Sequence, residues 1–251
     1  MEILRTANPA LSQNTFAGLG YSGISNDVMT IQGTVNKTAV LLALTSIGAL
    51  YTWNLFLGNH NPAAAGPYIG VGAIGGFIVA LVTVFKKEWS PVTAPIYALL
   101  EGLFLGGISA VFETMFPGIV VQAVGLTFGT LFCLLAAYKA GLIKATENFK
   151  LGVTAATGGI CLLYLITMLL GFCGIHMPYI HQSGMIGIGF SLFVVVIAAL
   201  NLVLDFDFIE NGAASRAPRY MEWYAAFGLL VTLVWLYCEI LRLLAKLRSD
   251  D

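Results

Sequence analysis

Charge is what this sequence has least of. Of 251 residues only 10% are Asp, Glu, Lys or Arg, against 58% apolar, and the net charge is −1. With a mean hydropathy of +0.86, the chain lies outside the soluble globular range and reads as a membrane protein. There is no basic stripe and no RNA-binding aromatic signature, which excludes a nucleic-acid partner. Cys133, Cys161, Cys173 and Cys238 are scattered over apolar segments without a C-x-x-C pair. They read as small apolar residues of helices, and neither a zinc site nor a disulfide framework is expected. His60, His176 and His181 fall between apolar runs without metal-ligand spacing. G-x-S-x-G is absent, and no Ser/His or Cys/His constellation sits at membrane depth, so an intramembrane hydrolase finds no support. The last apolar run has no mid-span lysine for a retinal Schiff base, Lys246 being at its end. No enzymatic activity and no cofactor are expected. The opening MEILRTANPALSQNTF has an early acid and no apolar core of its own, which does not fit a signal peptide.

What the sequence has in abundance is long apolar runs. Residues 1–37, rich in Gly, Ser, Thr and Asn, show no periodicity and read as a mostly irregular tail. From Thr38, seven runs approach the ~20 residues that a helix needs to cross a ~30 Å core. They are Thr38 to Leu57, Pro67 to Phe85, Pro91 to Phe112, Gly118 to Tyr138, Leu151 to Gly171, Ser183 to Leu204 and Met221 to Leu244. No alternating ten-residue pattern repeats, so a β-barrel is excluded. The expected architecture is an all-α polytopic membrane protein: the tail, then a seven-helix transmembrane domain over 38–251. Small residues recur at four-residue spacing, Gly66 and Gly70, Gly72 and Gly76, then Gly102, Gly106 and Ala110. Such rows let helix backbones approach closely. They suit packing of the second helix on the third, with a homodimer face as the alternative.

Orientation follows from the twelve Lys and Arg. With the N-terminus inside, inner segments hold Arg5, Lys37, Lys86, Lys87, Lys139, Lys144, Lys150, Arg216 and Arg219, and the three outer loops hold none. Nine against zero places the N-terminus in the cytoplasm. Seven spans then put Arg242, Lys246 and Arg248 outside, against the same rule, and a partly re-entrant last segment is the alternative.

Against this background the intramembrane acids stand out. An aspartate at a helix centre costs roughly 2.5 to 3.5 kcal/mol on insertion, so such residues commonly mark ion or proton sites. Glu101 lies ~15 Å into the third run. It reads either as a pore-lining or proton-binding carboxylate, or as a glutamic acid hydrogen-bonded to a neighbouring helix. Asp205 and Asp207 are two apart and point to nearly opposite helix faces. Asn201, four residues before Asp205, shares its face, making Asp205 the better sensor and Asp207 an interfacial acid near Arg216 and Arg219 at the mouth of an ion path.

Depth selects the partner of Asp205. If the sixth helix ends near Gly212 and the seventh starts at Pro218, Asp205 is ~10 Å inside and Glu222 ~6 Å. Glu239 is ~32 Å along the seventh helix, where Arg242 at i+3 can pair with it. Two carboxylates sharing one low-dielectric site cannot both ionise cheaply. A shared proton could hold the two helices together, and its loss could open a path or admit a divalent cation, for which Asp205 offers oxygen ligands. Lys86 or Lys87, near the same rim, could bias that equilibrium.

Three stretches resemble a known family. LDFDFIENGA is similar to the D-x-x-x-I segment that ends the sixth helix of the Bax inhibitor-1 (transmembrane Bax inhibitor motif) family, and WLYCEILRLLAKL resembles its last helix. VFKKEWSPVTAPIYALLEGLFLGGISAVFE looks like its second-to-third helix region, and RTANPALSQNTF looks like the bacterial branch. The resemblance implies a seven-helix fold with the last helix central, and a pH-sensitive calcium leak in a bacterial inner membrane. It implies an aspartate pair on the sixth and last helices as pH sensor, with an arginine on the second helix nearby. The first aspartate carries over to Asp205. The second aligns with Glu239 through Leu236, Tyr237 and Cys238, whereas depth points to Glu222. The arginine position falls at Lys86 or Lys87, which lack the bidentate fork. The partners implied are the lipid bilayer and calcium ions or protons. Two other functions fit the same residues: a non-conducting regulator of a membrane protease or stress response, and a proton-coupled transporter of small solutes.

Overall fold

The computed structural model describes residues 28–58, 65–172 and 184–249. The tail over residues 1–27 and the positions of His60, His176, His181 and Cys173 lie outside the described residues. Seven α-helices account for nearly all of what is described: α1 Ile31–Gly58, α2 Gly66–Phe85, α3 Ser90–Met115, α4 Ile119–Lys139, α5 Glu147–Phe172, α6 Met185–Ala214 and α7 Met221–Ser249. A short 3-10 turn, Lys87–Trp89, links α2 to α3. All seven spans are long and apolar enough to cross a membrane. Large apolar side chains face outward along them, Ile74 at 67% exposed and Val121 at 76% among others. In water that would be a liability, whereas in lipid it is the solvated face.

Helix α1 begins at Ile31, seven residues before its apolar run. The reason is a cap. Thr30 Oγ1 accepts from Gly33 N at 2.9 Å, satisfying one of the amides that a helix start leaves unpaired. The C-terminal end of α6 is capped as well. After α6, Arg216 N donates to Ala213 O and Ala217 N to Gly212 O, a Schellman pattern with Arg216 in the left-handed conformation at φ 52° where glycine is usual.

The chain divides into two compact units. One comprises 14–117 with 207–231, and within it α1 and α2 both pack on α3. The buried face of α1 is Thr34, Thr38, Leu41, Thr45, Gly48 and Thr52, alternately four and three residues apart. Each of these threonines returns its hydroxyl to the carbonyl four residues earlier, that of Thr34 reaching the capping residue Thr30. Burying them therefore leaves no unpaired donor, and small side chains bring the backbones together.

The glycine rows work in two directions. Gly72 of α2 sits where an added Cβ would be 2.6 Å from Leu100 O, so that part of the row does pack on α3. Gly102 and Gly106 instead face α1, where a Cβ would collide with Thr45 O and Ala49 O. A Cβ added at Gly66 or Gly70 would meet no other part of the described structure within 4 Å. Spacing alone could not assign the partner, because α3 carries small residues on more than one face and α1 is matched by threonines.

The other unit comprises, among described residues, 118–206 and 232–249. Its core is Ile160 of α5 with Val194 and Ile197 of α6, ringed by Ala156, Tyr164, Phe190 and Trp235. Helix α7, which supplies residues to both units, is the most buried span, 67% of its apolar window against at most 44% elsewhere.

The close approach at Gly106 gives a direct expectation. Gly106→Val should lower the thermal unfolding midpoint in detergent, with a cost of about 1–3 kcal/mol from overpacking against backbone. Gly125→Ala, where nothing lies within 4 Å of the added atom, should leave it unchanged.

Candidate functional site

In the first unit the organising acid is Glu222, in the first turn of α7 and 2% exposed. Lys37 of α1 forms an ion pair with its Oε2. Its Oε1 accepts from Thr30 N at 2.9 Å and from Thr30 Oγ1 at 2.8 Å. The carboxylate thus closes the N-terminus of α1, a position that favours negative charge. A Cβ on Gly33 would collide with it, so glycine leaves the room that the carboxylate fills. Met29 N bonds Ala217 O at 2.7 Å and ties the same segment to the residues before α7.

Lys37, read from the sequence as one more inner charge, is therefore the cation of Glu222. Lys87 instead sits over the Tyr224 ring at 5.7 Å, and Lys86 is exposed beyond α2, its amide capping the helix through Val82 O. Tyr224 is fully buried between Phe208 and Phe227, and its hydroxyl has no hydrogen-bond partner. In the bend, the Tyr220 phenol is pushed above its ordinary value, by burial first and by the charge of Glu88 second.

Glu101 is half-buried on α3, hydrogen-bonded by Tyr97 one turn before it, with Gly76 of α2 beside its Oε2. Tyr97 is held edge-on by Phe227 at 5.0 Å. Asp207 is half-buried near the end of α6, where its carbonyl accepts from Asn211 Nδ2 at 2.8 Å.

The second unit holds a run of polar stations among α5, α6 and α7. Asp205 is 2% exposed; Thr232 of α7 hydrogen-bonds it, and its Oδ2 has no partner. Asn201, one turn away on the same face, donates from Nδ2 to Thr157 Oγ1 of α5 and to Ile197 O, both at 2.8 Å. Glu239 is 1% exposed, and its Oε1 accepts from Arg242 at 2.8 Å and from the Tyr164 hydroxyl at 3.1 Å. Lys246 Nζ donates to Ser191 Oγ at 2.8 Å and Gly187 O at 3.1 Å.

These contacts have one geometric origin. Thr232, Glu239 and Lys246 are seven residues apart and share one face of α7 over ~21 Å. Asp205, Asn201, Ser191 and Gly187 share one face of the antiparallel α6, on the repeat that also buries Ala198 and Val194. Among the described residues no three His, Cys, Asp or Glu side chains cluster as a metal site.

Each candidate acid therefore has its own neighbours. Glu222 is joined to Lys37, Glu239 to Arg242 and Tyr164, and Asp205 to Thr232. Because Thr232 touches Asp205, Glu239 stands ~10 Å further along α7. Lys37, Thr232, Thr157 and Tyr164 were not singled out in the sequence; the seven-residue repeat on α7 was the one signal that could have found any of them.

Lys37→Met should destabilise the protein by about 3–5 kcal/mol, since it strands a buried carboxylate. Adding Glu222→Gln should recover most of that loss. Thermal unfolding of the two variants in detergent measures both effects.

The family model described as Bax inhibitor 1 like matches residues 6–249. No curated protein and no solved structure gives a significant match. With nearly the whole chain matched and seven helices long and apolar enough to cross a membrane, this integral membrane protein belongs to the Bax inhibitor 1 like family.

Proposed function

We propose that the protein is a pH-sensitive calcium-leak channel or transporter gated at Asp205. The observation that carries this reading is the unpartnered Oδ2 of that carboxylate, buried in the second half of a thirty-residue apolar helix. Native proteins rarely leave a buried polar atom unsatisfied without a functional reason. A carboxylate at this depth is such a reason, because its two protonation states make different demands on the helices around it. Family membership supports the same function.

The gate acts through Asp205 and its immediate neighbours rather than through a proton shared with Glu222, whose charge Lys37 already meets. Neutral protonated Asp205 fits the packing against Thr232. Ionised, it presents two acceptor oxygens where one donor is in place, and α6 and α7 must shift or admit a cation. Asn201 and Thr157 hold the next station along α6. Calcium takes six to eight oxygen ligands, and the few oxygens around Asp205 suit a passing contact rather than a resident ion. Glu101 and Asp207, the acids that the sequence suggests for an ion path, belong to the other unit. The protein performs no covalent chemistry in this reading and needs no cofactor.

Purified protein in calcium-loaded liposomes tests the proposal. Efflux should change with pH in the wild type, and Asp205→Asn, which keeps the shape but cannot ionise, should abolish that dependence. Absence of efflux, or a pH dependence that survives in Asp205→Asn, would reject the assignment. Retained cellular activity in a variant without flux would point to the non-conducting regulator.

A further inference from the structure

Glu101 belongs to the unit of α1, α2 and α3 and plays no part in the gate at Asp205. It is the twelfth of the 26 residues of α3, a helix ~39 Å long. Wherever a ~30 Å hydrocarbon core falls within that length, Glu101 stays at least ~7 Å from both edges.

No cation is placed to meet a charge there. Helix α2, whose Gly76 lies beside the carboxyl, contains no Asp, Glu, Lys, Arg, His or Cys. Its one titratable residue, Tyr68, is eight residues from Gly76 and packed edge-on against Tyr51 of α1. Helix α1 meets α3 at the next residue, Gly102, through Thr45. Its single charge, Lys37, is ~12 Å along the helix from Thr45 and paired with Glu222. Helix α3 itself adds Glu113, and the end of α6 in this unit adds Asp207 and Glu210, all of them acids. From α7, Phe227 packs on Tyr97, and the titratable residues before it are Glu222 and Tyr224. Lys86, Lys87 and Glu88 precede α3. Ser90 Oγ donates to Tyr220 O, which sets the bend carrying Arg216 and Arg219 at the start of α3, ~16 Å from Glu101. Among the described residues no ion pair reaches Glu101.

These surroundings suit an uncharged carboxyl. Tyr97, one turn earlier and held by Phe227, supplies one hydrogen bond. Gly76 leaves the room, since a Cβ there would be 3.2 Å from Oε2. In hydrocarbon an ionised carboxylate with one donor and no cation is far costlier than the protonated acid, which brings a donor of its own.

We propose that Glu101 is a proton-binding site in its own right, occupied at neutral pH, and that its proton keeps α2 seated on α3. Losing the proton places a charge beside the α2 backbone at Gly76 and draws water between the two helices, so the pair loosens in alkaline conditions. The site is separate from Asp205 and does not depend on ion conduction.

Infrared spectroscopy of the full-length protein in liposomes tests this, because the C=O stretch of a protonated carboxyl is distinct from the bands of a carboxylate. Subtracting the Glu101→Gln spectrum from that of the wild type cancels Asp205. At neutral pH the difference should hold one protonated-carboxyl band, which gives way to carboxylate bands as the pH is raised. Tyr97→Phe should keep the proton on to a pH about one unit higher, because the ionised form has lost its donor. Glu113→Gln should leave the band in place. Thermal unfolding in detergent gives a second readout. The native state alone holds the proton near neutral pH, so unfolding releases it, and the wild type should lose stability relative to Glu101→Gln as the pH rises. Carboxylate bands in the difference spectrum at neutral pH, or a stability difference that does not change with pH, would overturn the proposal. If Glu101→Gln does not fold, Tyr97→Phe against the wild type decides: the same shift supports the proposal, and identical spectra at every pH reject it.

Discussion

A polar group in hydrocarbon has no water to turn to, so each one buried in a membrane-spanning helix must find its partner within the protein. Most of the arrangement seen here answers that demand. The threonines of α1 bond back to their own helix and so can be buried on a packing face. Asn201 divides its amide between α5 and its own backbone. Glu222 takes a lysine and the start of α1, and Glu239 an arginine and a tyrosine. Against that background, the bare Oδ2 of Asp205 is, with the Tyr224 hydroxyl, one of two exceptions among the described residues, and the charged one of the two when ionised. It lies on the α6 face that also carries Asn201 and Ser191.

The same solvent explains the packing. Lipid tails are as apolar as leucine, so large hydrophobic side chains gain little by turning inward. Many face outward on α1 to α6, and the close contacts of α3 are made by glycines against the carbonyls of Thr45, Ala49 and Leu100. Contacts of that kind leave little tolerance. One added carbon at Gly102 or Gly106 meets backbone rather than a side chain that could rotate away.

Helix α7 carries different chemistry at its two ends. Its first turn contributes Glu222 to the unit of α1, α2 and α3, where the acid ties down the start of a helix. Its second half contributes Thr232, Glu239, Arg242 and Lys246 to the other unit, at a spacing that keeps three of the four on one face. Two acids that look alike in the sequence therefore do different work. One anchors a helix terminus, and the other holds an arginine.

The amino-acid sequence by itself determined the helical class and the seven spans, because these follow from the length of apolar runs and a fixed rise per residue. The likeness of LDFDFIENGA and WLYCEILRLLAKL to one family was also legible, and the family match over residues 6–249 agrees with it. Depth did not determine partners. It set Glu222 level with Asp205, yet which side chain a carboxylate meets depends on the rotation of each helix about its axis and on neighbours far away in the chain. Lys37 is 185 residues from Glu222, and Tyr164 is 75 from Glu239. The tertiary structure alone decided that Gly102 faces α1, that Glu222 has a lysine of its own, and that Asp205 keeps one oxygen unpaired.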